Sequence, residues 1–283
     1  MRRPGAMVVS LGVLSVNGCA LLAAAARCLA EADPAAKVRL SAQTAAAIRA
    51  GVLARDARDV RSPAAKPGRP RRPALVPPRQ LSRRGLDQPA GRAALVHAIA
   101  HIEFNAINLA WDAIQRFPDM PAAFAADWAR VADDEARHFT MLRERLRGLG
   151  YDYSDFPAHD GLWQMAEATG HDVLARMALV PRVLEARGLD VTPGMIARLE
   201  RAGDVATAAC LRVILREEVA HVAIGSHWFR WLCGLRGLAP RETYFRLLTE
   251  HMAGGVRRPL NRQARLAAGF DALELERLEA LCQ

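Results

Sequence analysis

Two short stretches carry the residues best suited to chemistry: Asp134-Glu135-Ala136-Arg137-His138 and Glu217-Glu218-Val219-Ala220-His221. Each sets a Glu and a His three residues apart. On an α-helix that spacing is about 60° around the axis, so both side chains leave the same face. Two such pairs, with one further Glu upstream of each, make the donor set of a di-iron or di-manganese carboxylate bundle. The upstream candidates are Glu103, 32 residues before Glu135, and Glu185, 33 residues before Glu218. The expected metal ligands are therefore Glu103, Glu135, His138, Glu185, Glu218 and His221. No catalytic side chain is expected beyond them.

A lone Glu-x-x-His arises by chance on many solvated helices, so the face that carries it decides. Around Glu135 the same-face residues are Trp128, Val131, Ala132, Phe139 and Leu142. Around Glu218 they are Leu211, Ile214, Leu215 and Val222, and around Glu103 they are Val96, Ile99, Ala100 and Ile107. Each carboxylate interrupts an apolar stripe that should face a core. An unpaired buried carboxylate costs several kcal/mol. Four of them need cations, and two divalent metals would resolve the conflict. The competing reading makes them rim carboxylates paired with Arg137 and Arg216. The stripe of Glu185 holds Leu174, Ala178 and Pro181 but also Arg182. Pro181 should bend that helix beside the ligand, and Gly188 should end it soon after. Glu167, with His171 one turn on, is the rival ligand there. His97, His101 and His227 point away from the ligand faces and read as structural groups. Tyr151 and Tyr153 read as loop packing, with electron transfer as the alternative.

Positioning these groups takes four long helices. About half of the 283 residues are apolar, and alternating runs of β-branched residues are missing, which makes the protein all-α. Periodicity and breakers place the helices at about 91–117, 121–147, 161–187 and 205–233. A further helical piece begins at Thr192-Pro193 and breaks near Gly203-Asp204. Pro118 and Pro121 mark a short turn from which Glu103 and Glu135 are almost equally distant, so an antiparallel hairpin sets them at one height. Glu185 and Glu218 are less tidy, because segment 188–204 must then bridge an offset. Accessory helices should start near Pro240 and Asp271. Upstream, Asp33-Pro34 reads as an N-cap with proline in the first turn, opening a helix to about Arg49 that Gly51 ends. Between 61 and 90, seven prolines alternate with arginines, which makes an extended strap whose Val76 to Pro78 should dock on the bundle. The chain thus divides into a helical segment 1–60, a linker 61–90 and a bundle with C-terminal helices, 91–283.

The net charge of +9 is uneven. Residues 1–92 hold 17 of the 39 basic and 5 of the 30 acidic residues, giving +12 and leaving −3 for the rest. Such a segment suits a phosphate-rich partner such as RNA, or is a solvated arginine-rich linker. The five cysteines are odd in number and form no C-x-x-C, which indicates free thiols and a cytoplasmic setting. Residues 1–30 resemble a secretory signal, with Arg2 and Arg3 ahead of an uncharged run. Gly5, Gly12 and Gly18 interrupt that run, so no membrane span is expected.

Together these motifs resemble the ferritin-like superfamily, and most of all a bacterial family of ferritin-like proteins without an assigned function. The resemblance covers roughly residues 20–270. It rests on Val76-Pro77-Pro78-Arg79, His97 to Glu103, Asp134 to His138, Phe156 to Gly161, Leu184-Glu185-Ala186-Arg187, Glu217 to His221 and Gly225 to Phe229. It implies a ferritin-like four-helix bundle preceded by packed helices and a proline-rich strap, which favours a packed helix over a cleaved signal from Leu21 onward. More distantly, the motifs are similar to the di-iron tRNA-modifying hydroxylases and hydrocarbon monooxygenases. There the residue before each ligand Glu orients a ligand His, roles that would fall here to Asp134 and Glu217. The second motif departs from the pattern, with Glu217 for Asp and Ala220 for Arg. Leu184 to Arg187 resembles the third-helix ligand motif of the tRNA hydroxylases and supports Glu185.

The leading expectation is a di-iron carboxylate oxidoreductase that uses O2 or peroxide on an unknown substrate, RNA included, and draws on an unknown electron donor. Manganese would use the same ligands. Two alternatives stand beside it. One is a metal-binding, iron-handling or peroxide-scavenging protein with no organic substrate. The other is an RNA-binding or interaction protein that uses the bundle as a scaffold.

Overall fold

The computed structural model describes residues 21–54, 66–81, 85–252 and 256–282. The signal-like reading of residues 1–20 lies outside them. Among the described residues the protein is an all-α helical bundle, and the only extended pairing is an isolated bridge between Leu75 and Ala158. Two N-terminal helices, α1 (Leu21–Ala30) and α2 (Pro34–Arg49), pack as an outer layer on the long rods α3 (Pro89–Arg116) and α4 (Ala122–Gly148). The second half holds α5 (Gly161–Ala168), α6 (Val173–Leu179), a π-helical turn (Val180–Glu185), α7 (Ala186–Arg201) and α8 (Val205–Leu235). Three short helices close the chain: α9 (Pro240–His251), α10 (Arg262–Ala267) and α11 (Ala272–Leu281).

Local chemistry explains the boundaries. Asp33 accepts from the Ala36 amide at 2.7 Å, and Pro34 opens α2 as its N-cap predicts. Lys37 is wholly buried, where its ammonium donates to the carbonyls of Cys28 and Leu29 and to Asn108, tying the end of α1 to α3. Burial pushes its pKa down to about 7. The strap crosses the bundle on main-chain bonds: Val76 N donates to Ala158 O at 2.8 Å, and Ala158 N to Ala74 O at 3.0 Å. Arg69, one of the cations of the basic segment, is spent inside the fold on Asp160 and Asn105.

The third rod differs from its expected form in two ways. It is not one helix from 161 to 187, because Gly170 interrupts it and Asp172 restarts it by accepting from the Leu174 amide at 3.0 Å. Nor does Gly188 end it, and Thr192-Pro193 does not begin a new piece: α7 runs unbroken to Arg201. Pro193 cannot donate to the Leu189 carbonyl one turn back. The Asn261 side chain donates to that carbonyl instead, at 3.1 Å, so the breaker is absorbed by a tertiary contact. This continuity removes the expected height offset. Glu185 lies near the middle of the combined rod α6–π–α7, beside the middle of α8.

At Pro181, where a bend is expected, the helix widens into the π turn, a distortion that recurs at functional sites. It presses against α8 at Gly225, where an added Cβ would sit 2.3 Å from Pro181 Cβ and Cγ. Only glycine lets the two backbones approach this closely. Gly225→Ala is therefore expected to cost about 1–3 kcal/mol as the π turn is pushed away, read as a lower urea midpoint at unchanged m-value.

Helix α3 is the one described helix long and apolar enough to cross a membrane, yet most of that stretch is buried inside the bundle. It is the core rod that carries Glu103.

Candidate metal centre

The inner faces of α3, α4, α8 and the π turn converge on one cluster. Glu103, Glu135, His138 and Glu218 bring ligand atoms within 4.8 Å of one another. His221 joins from α8 with Nδ1 3.0 Å from Glu135 Oε1 and 3.6 Å from Glu218 Oε1. On the other side His138 Nδ1 lies 3.2 Å from Glu103 Oε2 and 3.4 Å from Glu135 Oε2. Glu135 thus stands between two half-sites, one made by Glu103 and His138, the other by Glu218 and His221. Glu185 reaches the same space from the π turn. Its residue is partly exposed, but its Oε2 is sealed from solvent. The rival Glu167 is exposed and accepts from the Trp163 indole at 2.9 Å, away from the cluster.

The outer nitrogens are held crosswise. His138 Nε2 meets Glu217 Oε2 at 2.8 Å, and His221 Nε2 meets Asp134 Oδ2 at 3.2 Å. A carboxylate only accepts, so it fixes the proton on Nε2 and leaves each Nδ1 lone pair aimed inward. Arg137 completes this outer layer, with 2.7 Å contacts to both Asp134 and Glu217. The competing rim reading therefore describes Asp134 and Glu217, while the next residue of each motif points the other way. Losing one of these orienting groups, as in Glu217→Ala, is expected to weaken metal affinity about 10–100-fold without changing the ligand count. Competition with a chelator of known affinity measures it.

The inner atoms lack what buried polar atoms normally have. Both oxygens of Glu135, Oε2 of Glu185, Oε2 of Glu218 and Nδ1 of His221 are buried without a hydrogen bond. Atoms in that state cost about 1–3 kcal/mol each unless something else satisfies them. Four carboxylates balance the charge of two divalent cations, and neutral imidazoles add two donors. The residues present fit such a pair.

Without metal, protons must take the cations' place. Burial and the charge of Glu135 hold the Glu103 carboxyl far above the usual range, and the same two causes raise Glu218. Burial, helped by Glu218 and Glu135, pushes Glu185 up to about 8. Burial works against His138, but the adjoining carboxylates of Glu103 and Glu135 raise it to about 11. His221 is raised against its burial by Glu218 and Glu135. Among the cluster's carboxylates Glu135 alone is held low: burial opposes its charge, but the neighbouring imidazoles of His221 and His138 outweigh it.

A cavity of about 150 Å³ opens onto the cluster from the side away from the histidines. Glu103, Glu135, Glu185 and Glu218 form one wall. The motifs could not show this chamber, because its other walls come from α3, α5, α7 and α8 together. His97 and His101 are structural, as their face predicts. His97 Nε2 contacts the Tyr153 carbonyl and His101 Nδ1 the Tyr153 hydroxyl, both at 2.8 Å. Burial, with His97 and Arg69 nearby, drops His101 to about 3, so it is neutral.

The chain belongs to a family described as Protein of unknown function (DUF455), whose model matches residues 30–276. It is similar to a protein of Haemophilus influenzae named only as uncharacterized, at 46% identity over 214 residues, 73% of this chain and 74% of the relative. No solved structure matches it significantly.

Proposed function

We propose that the cluster binds two iron ions and that the protein is an oxidoreductase dependent on O2 or peroxide. One observation carries this reading: carboxylate oxygens of Glu135, Glu185 and Glu218 and Nδ1 of His221 are buried without a hydrogen bond, and the four carboxylates line a chamber whose other walls are largely apolar. One Glu from each of two helices, with a Glu-x-x-His from each of two others, is the ligand arrangement of ferritin-like di-iron carboxylate bundles. When bound, a ferrous pair supplies the electrons that reduce O2 or peroxide, and an external donor returns them. The chain's own part is to hold and shield. Asp134 and Glu217 keep both imidazoles in the ligating tautomer. The carboxylates absorb the cationic charge, and the apolar chamber walls keep water from the reacting face. The four described cysteines, Cys28, Cys210, Cys233 and Cys282, are free thiols, which supports a cytoplasmic setting.

Protein from iron-supplemented cells is expected to carry about two irons per chain, as the ligand set requires. Its oxo-bridged absorption should bleach on reduction and return with O2. A Glu135→Ala, Glu218→Ala double variant should lose the metal while remaining folded. Manganese in place of iron would move the reading to peroxide chemistry, and a folded wild-type protein that binds neither would end it.

A further inference from the structure

We propose that the substrate is an uncharged molecule with an extended apolar chain, which enters the metal-facing chamber from an outer groove between Ile102 and Leu162. The inference rests on the dinuclear reading above, since it names what that centre acts on.

The chamber's chemistry excludes charge. Apart from the carboxylates its walls are apolar, with Ile99, Leu109, Leu184, Val191, Met195 and Leu211 among them. Its polar exceptions are Thr192 and Arg187. The Arg187 guanidinium is already committed to the carbonyls of Arg257, Arg258 and Pro259, at 2.7, 3.0 and 2.9 Å. Among the described residues of the chamber, no free cation waits for a phosphate or carboxylate. A buried, unpaired charge costs several kcal/mol, so a charged group stays outside. An apolar cavity of about 150 Å³ accepts a molecule of about benzene's size.

A second hollow of about 160 Å³ lies directly outside. It is bounded by Leu81, Ala94, Ala98, Phe156 and Leu162, with His101 and His159 at its edge. Both nitrogens of His101 are taken, by Tyr153 and Asn105, so this ring presents no free polar atom. Ile102 and Leu162 line both hollows. These two residues form the wall that the hollows share. Ile102 is 43% exposed, an apolar group left in water at the seam and free to change rotamer. Glu103 lines the same inner hollow, so a chain that passes Ile102 enters the space bounded by the carboxylates. The inner chamber is too small for a long chain, and the outer groove supplies the apolar surface for the remainder. Ile102 and Leu162 would then set the chain length accepted.

The test is binding of normal alcohols from butanol to dodecanol to the full chain as purified, by calorimetry, with iron content measured on the same sample. Affinity is expected to rise about fourfold per CH2 group through the middle of the series and then level off. Ile102→Trp, which plugs the seam, should level off several carbons earlier, and Leu162→Ala, which widens it, several carbons later. No alcohol binding, a plateau already at butanol, or the same plateau in all three proteins would overturn the proposal. Iron present with no alcohol ladder refutes this inference alone. An intact ladder in protein that binds no metal refutes the dinuclear reading alone.

Discussion

Metal-free protein is expected to lose stability as the pH rises from about 4.5 to about 8, the reverse of ordinary acid denaturation. The sign follows from the carboxylates. In the folded state Glu185 is raised from 4.5 to about 8 by burial and by Glu218 and Glu135, and Glu103 and Glu218 are raised with it. A group raised on folding contributes stability below its unfolded pKa and loses it as the pH passes the folded value. His138, raised to about 11, acts in the same direction at higher pH. Within the cluster only Glu135, held low, works the opposite way, and its window lies below 4.5. Outside it the buried bases His101, dropped to about 3, and Lys37, dropped to about 7, oppose the slope, and the raised carboxylates and imidazoles outnumber them. Glu185 alone represents about 3 kcal/mol between pH 4.5 and 7. On the proposed dinuclear reading metal should reverse the slope, because the ligands would bind it only after releasing their protons, and affinity would grow with pH. Thermal melts at a series of pH values, with and without chelator, measure both slopes. A chelated protein that gains stability from pH 5 to 8 would mean that the carboxylates do not converge in solution.

The sequence reveals a pair of candidate ligands more readily than the chamber beside them. Helical spacing alone shows that Glu135 and His138 share a face, and the apolar neighbours of Glu103 and Glu218 show that those faces turn inward. Asp33-Pro34 and Asp271 mark helix starts with local chemistry that survives in the fold. Where the fold departs from the local pattern, a distant contact outweighs a local signal. Pro193 should start a new helix, but Asn261, far along the chain, satisfies the carbonyl it orphans. Gly188 should stop one, but Ala186, Leu189 and Leu199 bury a continuous face. The break at Thr169 to Asp172 was missed for the opposite reason: the apolar pattern runs through it, while Asp172 is fixed from outside by Arg236 at 2.7 and 3.0 Å. The shared wall of Ile102 and Leu162 joins α3 to α5, and no single-helix pattern contains it.

Breaking the buried pair Arg182–Glu274 is expected to be among the costliest single changes outside the carboxylate cluster. Arg182 sits in the π turn, three residues before Glu185, and its side chain is 1% exposed. Its Nη2 donates to both oxygens of Glu274 on α11, at 2.9 and 3.0 Å. The rings of Tyr244, Phe270 and Phe229 enclose the guanidinium at 4.3, 4.5 and 4.8 Å. Such a cage suits a cation only while its counter-charge is present. Glu274→Ala leaves the charge buried and unpaired, which should cost about 3–5 kcal/mol in urea unfolding. Replacing both partners, as in Arg182→Met with Glu274→Leu, should recover most of that loss, since an apolar pair asks nothing of the surrounding rings. A single variant costing under about 1 kcal/mol would show that the pair does not anchor α11. Iron content separates anchoring from ordinary packing. The pair holds the turn that presents Glu185, so Glu274→Ala should bind metal more weakly, while a variant of similar cost far from the π turn should not.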